Sequence, residues 1–298
     1  MSVVTSDSSA RVTQAERKIL RNIALLLPDA SPDTVALEVA ADLARQFGAS
    51  LAVLQMLIMP EPMIRALALA PDEAFLEIHA NIRADARAAA TALGKRLTDA
   101  GVCASVQPIE AHGDEPEALA ALATRPYDLT VMERPHGAPA VKSIAHDFFA
   151  AILLESGRPV LVVPSIGRTT WQPMHAVVAW ADTPECGRAV HDALPMLRQC
   201  QRVDVLVVDP IGSLLESASD SASAIVRHLV RHGVHAALKS LRSDGRTTAE
   251  AILAEVDRTG AQLVVAGGYG HGRRREWVFG GTTRALFLDA GVPVLFSH

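Results

Sequence analysis

The feature that most constrains this sequence is an alternation that runs through it twice. Short Val-, Leu- and Ala-rich runs are separated by longer stretches whose apolar residues recur every three or four positions. Runs so poor in polar residues suit strands covered on both faces, and the intervening periodicity suits helices laid on a parallel sheet. In the first half the predicted strands are 22–27, 50–56, 102–107, 128–132 and 158–163. In the second they are 175–180, 203–208, 234–241, 262–266 and 292–296. The helical stretches include 33–46, with Val35, Leu37, Val39 and Leu43 among its apolar positions, and 185–198. Each half therefore reads as five strands joined by four helices. The expected domains are 1–166 and 171–298, linked by the short polar segment 164–170 with Gly167 as a hinge.

Offsets test the repeat. Pairing Asp29 with Asp182 gives a shift of 153, and pairing Pro159 with Pro293 gives 134, so the first half is longer by 19 residues. The surplus falls in 59–96, where Pro60, Pro62 and Pro71 interrupt an Ala-rich helical stretch, and a lengthened helix is the expected result. Residues before about Gln14 are expected to be loose.

Composition excludes several function classes. The 298 residues are 49% apolar with a formal charge of -5, which gives a globular chain without the positive field that gathers nucleic acid. No apolar run is long enough to span a membrane. The opening nine residues lack the basic start and apolar middle of a signal peptide, so the expected compartment is the cytoplasm. Cys103, Cys186 and Cys200 have neither disulfide-framework nor zinc spacing. With aromatics at 4%, a ligand must be gripped mainly by backbone and small residues.

In a parallel sheet of this kind ligands bind beyond the strands' carboxyl ends, where the winding reverses, so the loops after strands one and four of each half are the candidates. In the second half the loop after strand four reads Gly267-Gly268-Tyr269-Gly270-His271-Gly272-Arg273-Arg274-Arg275, and Gly280-Gly281-Thr282-Thr283 then opens a helix. Glycines let successive N–H groups approach an anion, the helix start adds partial positive charge, and a threonine hydroxyl can cap the helix or donate to phosphate. The bland alternative is a connection that needs glycine only for its turns. The arginine run Arg273-Arg274-Arg275 reads as a solvated loop, with reach to a phosphate as its alternative, and Tyr269, Trp277 and Phe279 read as packing residues.

The spacing Gly267-x2-Gly270-x9-Gly280, between an apolar strand and a helix that leads to a Pro-Val-Leu strand, resembles the universal stress protein family. So does the order of elements in both halves, from about Lys18 to His298. The resemblance implies two tandem flavodoxin-like, doubly wound α/β domains with five-stranded parallel sheets. It also implies ATP binding at the glycine loop, with Mg as a companion cation, and a stress-related regulatory role. It places Gly267, Gly270 and Gly280 beside the triphosphate, and the neighbouring loop residues Gly268, His271, Gly272, Arg273, Gly281, Thr282 and Thr283 complete the candidate site. Two departures stand out. Gly281 occupies the family's Ser/Thr place, and the nucleoside-contacting Asp is displaced from Ala181 to Asp182, beside Thr183.

At the shift of 134 the glycine positions of the first half are Glu133, His136 and His146, and Asp147 stands for Gly281. Carboxylates where phosphate would sit predict a first domain that binds no nucleotide there and serves as a structural or regulatory partner. The same four residues are also a candidate acid-base or metal cluster bordering one cleft, against which stands simple decay of a glycine site. His228, His232 and His235 sit at a helix end, which favours capping over metal binding. No nucleophile elbow, P-loop, zinc-protease or dinucleotide motif occurs, so no catalytic residue is expected beyond slow ATP hydrolysis. Family strands resembling 160–163 and 292–295 often pair across a dimer axis, so an intramolecular pseudo-dimer is expected, with further homodimerisation open. A nucleotide-free interaction module of the same fold is the alternative function.

Overall fold

The computed structural model describes residues 20–28, 34–60, 73–113, 115–167, 171–209, 213–270 and 281–298. In the first half, strands β1 (Asn22–Leu27), β2 (Ser50–Ile58), β3 (Ala104–Ala111), β4 (Leu129–Glu133) and β5 (Val160–Val163) alternate with helices α1 (Val35–Phe47), α2 (Glu73–Asp99), α3 (Pro116–Thr124) and α4 (Pro139–Glu155). In the second, β6 (His175–Ala179), β7 (Arg202–Val208), β8 (Ala236–Leu241), β9 (Leu263–Gly267) and β10 (Val294–Ser297) alternate with α5 (Pro184–Leu197), α6 (Ser213–Arg231), α7 (Thr248–Thr259) and α8 (Gly281–Asp289).

Local chemistry sets the helix ends. Thr34 caps α1 by accepting from the Leu37 N–H, and Gly48 ends it at φ 61°. Thr247 and Glu250 form a reciprocal capping box on α7, which Gly260 ends at φ 67°. α2 runs 27 residues against 19 for its counterpart α6, so part of the surplus length of the first half is helix. Residues 61–72 of that surplus lie outside the described residues.

The strands lie in the order β3-β2-β1-β4-β5-β10-β9-β6-β7-β8. Within each half every pairing is parallel, and the winding reverses between the first and fourth strands: β1 beside β4, β6 beside β9. β5 and β10 pair antiparallel, Val162 opposite Val294 and Leu161 opposite Leu295, so the two five-stranded sheets fuse into one of ten strands. Pairing these two strands removes an exposed edge from each half.

One face of the sheet packs on α1, α2, α5 and α6 around Leu43, Phe47, Ala193 and Leu197; the other packs on α3, α4, α7 and α8. On the second face an aromatic cluster covers the seam. Phe149 of α4 stacks on Phe287 of α8 at 4.6 Å and meets Phe296 of β10 edge-on at 5.0 Å, all three buried. On the first face the Gln46 amide donates to Gln199 across the halves, and the Trp171 N–H donates to Asp42 of α1 at 2.8 Å. Among the described residues no helix is long and apolar enough to cross a membrane.

Candidate functional site

A cavity of about 390 Å³ opens where β6 and β9 diverge in the second half, the reversal point of that sheet. One wall is apolar, with Trp180, Leu206, Val208 and Ile252; the opposite wall is Gly267, Gly270, Gly281, Thr282 and Thr283. The starts of α5 and α8 border that second wall, so the partial positive charge of two helix N-termini lies beside it, although in α5 Pro184 has no N–H and Thr183 already accepts from Cys186 and Gly187. The Trp180 ring is anchored through its indole N–H, which donates to the Ser221 hydroxyl at 3.2 Å.

The glycines do different jobs. Gly267 ends β9, and a Cβ there would lie 2.7 Å from the Cys186 nitrogen and 2.9 Å from the Glu185 carbonyl carbon. Glycine is therefore required so that the first turn of α5 can approach the strand. At Gly268 a Cβ would lie 2.5 Å from Leu153 Cδ2, a side chain of α4 in the other half. At Gly270 it would meet the Glu185 Oε2 at 3.0 Å and the Thr183 hydroxyl at 3.5 Å, whereas at Gly281 it would meet nothing within 4 Å among the described residues. Gly281 alone among these is free of packing demands.

Hydrogen bonds hold the turn. The Gly268 N–H donates to the Ser297 carbonyl at 2.8 Å, and the Tyr269 N–H donates to the Thr283 hydroxyl at 3.2 Å. Tyr269 has φ 56° and its phenol meets His146 Nε2 at 3.1 Å; burial pushes that phenol's pKa up, and it packs beside Phe149 as its sequence context suggests. Thr183 is the N-cap of α5, accepting from Cys186 N–H. The Glu185 Oε2 is buried and has no hydrogen-bond partner among the described residues.

Of the residues singled out in the sequence, Thr183, Gly267, Gly270, Gly281, Thr282 and Thr283 share the cavity lining. Gly268 lies behind it, against α4. Asp182 does not line it: the turn after β6 leaves this residue exposed while its neighbours Ala181 and Thr183 face the cavity. His271, Gly272, Arg273 and Gly280, with Arg274, Arg275, Trp277 and Phe279, lie outside the described residues. Sequence reasoning missed the wall made by Leu206, Val208, Thr248 and Ile252, which come from β7 and α7. Their signal was available only as the end of the neighbouring strand, beside the reversal point.

The first half differs as its charges suggest, but not in one cleft. Glu133, at the end of β4, accepts from the Ala36 N–H at the start of α1 at 3.2 Å, so a carboxylate fills the N-terminus that the second half leaves beside Gly267. His146 is elsewhere, buried in the seam against Phe149 and Phe287, while His136 and Asp147 are exposed. The expected convergence of Glu133, His136, His146 and Asp147 on one cleft is therefore corrected: α4 turns its aromatic side, His146 included, into the interface. Among the described residues no three His, Cys, Asp or Glu side chains are grouped to hold a metal. At the end of α6, Gly233 has φ 78°, and Arg198 donates to the His232 carbonyl at 2.9 Å, a capping arrangement around His228 and His232.

No family model matches the sequence, and no curated protein matches it. Solved structures do match. A universal stress protein from Archaeoglobus fulgidus superposes with a TM-score of 0.71 at 18% identity, covering 92% of this chain and 95% of that one. A putative universal stress protein from Pseudomonas aeruginosa superposes at 0.62 with 14% identity, covering 95% and 94%. A functionally unknown protein from the same species superposes at 0.61 with 16% identity and the same coverage. The chain has the universal stress protein fold, in tandem, over nearly its whole length.

Proposed function

We propose that this chain is a tandem universal stress protein whose second half binds an adenine nucleotide, with ATP as the favoured ligand, and whose first half does not. The observation that carries this reading is the split character of the cavity at the β6–β9 reversal. A planar apolar base suits the wall of Trp180, Val208 and Ile252, and phosphates suit the amide-rich wall of Gly270, Gly281 and Thr282 under two helix starts. Its volume, about 390 Å³, is of small-ligand size. Glu185 does not line the cavity, but its buried Oε2, without a hydrogen-bond partner among the described residues, stands beside Gly270 and is the oxygen that a divalent cation carried in with the triphosphate would use. In the first half the Glu133 carboxylate already satisfies the α1 N-terminus and opposes an anion there. Function then follows from a population shift. Nucleotide stabilises one arrangement of the glycine turn and seam, which a partner reads in the cytoplasm under stress.

Equilibrium dialysis with ATP, ADP and AMP tests this against Gly281→Glu. A Cβ at Gly281 meets nothing within 4 Å among the described residues, and the substitution puts a carboxylate at the phosphate wall. Retention by the parent chain and loss in the variant is the expected result; equal retention, or none by either, refutes the site. In the second case the nucleotide-free interaction module becomes the better reading.

A further inference from the structure

We propose that His146, on α4 of the first half, is a positioning residue for the glycine turn of the second: through the Tyr269 hydroxyl it holds that turn in the shape that faces the cavity. The ligand part of this inference rests on the nucleotide reading above; the mechanical part does not. Among the described residues of the turn, 267–270, Tyr269 alone carries a side chain, and it is held at φ 56°, a left-handed conformation that non-glycine residues avoid. Such a conformation persists only where its surroundings over-determine it. Here the backbone is fixed on both sides by Gly268 N–H to Ser297 and Tyr269 N–H to Thr283, and the side chain by the bond to His146 Nε2 at 3.1 Å.

The polar pair is placed where it must be matched. His146 is 7% exposed, its ring edge-on to Phe287 at 5.5 Å and to Tyr269 at 6.5 Å. A buried hydroxyl or imidazole without a partner is costly, so each makes the other specific in a way that two apolar rings would not. The tyrosine hydroxyl can donate or accept, so the bond forms with either tautomer of the neutral ring. Burial, then the nearby Arg284, disfavour the imidazolium, against the pull of Asp147. Leu153, two helical turns further along α4, presses on Gly268 from the same side. At the repeat shift of 134, His146 occupies the place of Gly280. The residue that replaces the glycine motif in one half thus reaches across the seam to the glycine motif of the other.

The test uses the full chain with His146→Phe, His146→Gln and Tyr269→Phe. Amide hydrogen exchange at 268–270 is measured without ligand, and ATP binding by equilibrium dialysis. Loss of the bond in His146→Phe and Tyr269→Phe should speed exchange in the turn about tenfold and weaken ATP by about the same factor. Exchange in β1 and β2 should not change, and glutamine, which can still bond the hydroxyl, should restore most of the loss. Unchanged exchange in the turn, or no rescue by glutamine, overturns the proposal. If the parent chain holds no ATP, only the nucleotide reading fails and the exchange data still decide the brace. Should His146→Phe not fold, Tyr269→Phe, which keeps the ring, carries the measurement alone.

Discussion

Replacing Gly267 by alanine adds one carbon to a protein of 298 residues, and the structure gives that carbon no room. It would stand 2.7 Å from the Cys186 nitrogen, 2.9 Å from its sulfur and 2.9 Å from the Glu185 carbonyl carbon, where ordinary contact begins at 3.4 Å. Two of the three are backbone atoms of the first turn of α5, so no rotamer change relieves the clash and the helix start must retreat. Overpacking of this kind costs about 1–3 kcal/mol. The retreat also strains the cap in which Cys186 N–H donates to Thr183 at 3.3 Å, a bond worth about 1 kcal/mol. A loss of about 2–3 kcal/mol is expected, read as a lower urea midpoint at unchanged slope. Gly281→Ala is the control. Its Cβ meets nothing within 4 Å among the described residues and begins a helix, so stability should stay within about 0.5 kcal/mol of the parent. If Gly267→Ala were as stable as Gly281→Ala, the close approach of α5 would not be why glycine stands there.

Phe149→Ala removes a fully buried ring from the seam and should cost about 3–5 kcal/mol in denaturant unfolding; a cost under about 1 kcal/mol would mean the halves do not lean on this cluster. Glu255 is held down to about 2 from the ordinary 4.5 by bonds to Arg258, then Lys239, against the opposing effect of burial. A carboxyl lowered on folding contributes stability above its ordinary value and loses it as pH falls from about 5 toward 2. The contribution is on the order of 2 kcal/mol once the solvent exposure of Arg258 is allowed for. Glu255→Gln should flatten that acid limb, and an unchanged limb would refute the assignment. Of the three thiols only Cys103 is exposed, and burial raises Cys200 to about 12, so a thiol reagent should label one cysteine in the native chain and three in denaturant. Fast native labelling of Cys200 would contradict its burial.

All ten strands were legible in the sequence, their ends shifted by at most a few residues: the central ones because a strand buried on both faces must be apolar throughout, the partly exposed edge strands β3 and β8 from their place in the repeat. The glycine turn was also legible, as spacing. Which of its glycines meet a ligand and which merely admit a neighbour was not, because Cys186, Glu185 and Leu153 approach from elements distant in the chain.

What the sequence by itself determined was the repeated β-α order, the reversal loops and the loss of glycine in the first copy, for each is written in residue types and their spacing. Only the tertiary structure decided that Asp182 stands outside the cavity, that β7 and α7 supply its apolar wall, and that His146 leaves its supposed cleft for the seam. The first two depend on how the strands and helices of the second half pack on one another, and the third on where α4 lands once β5 and β10 pair. The sequence specifies that docking only through packing between residues more than a hundred positions apart.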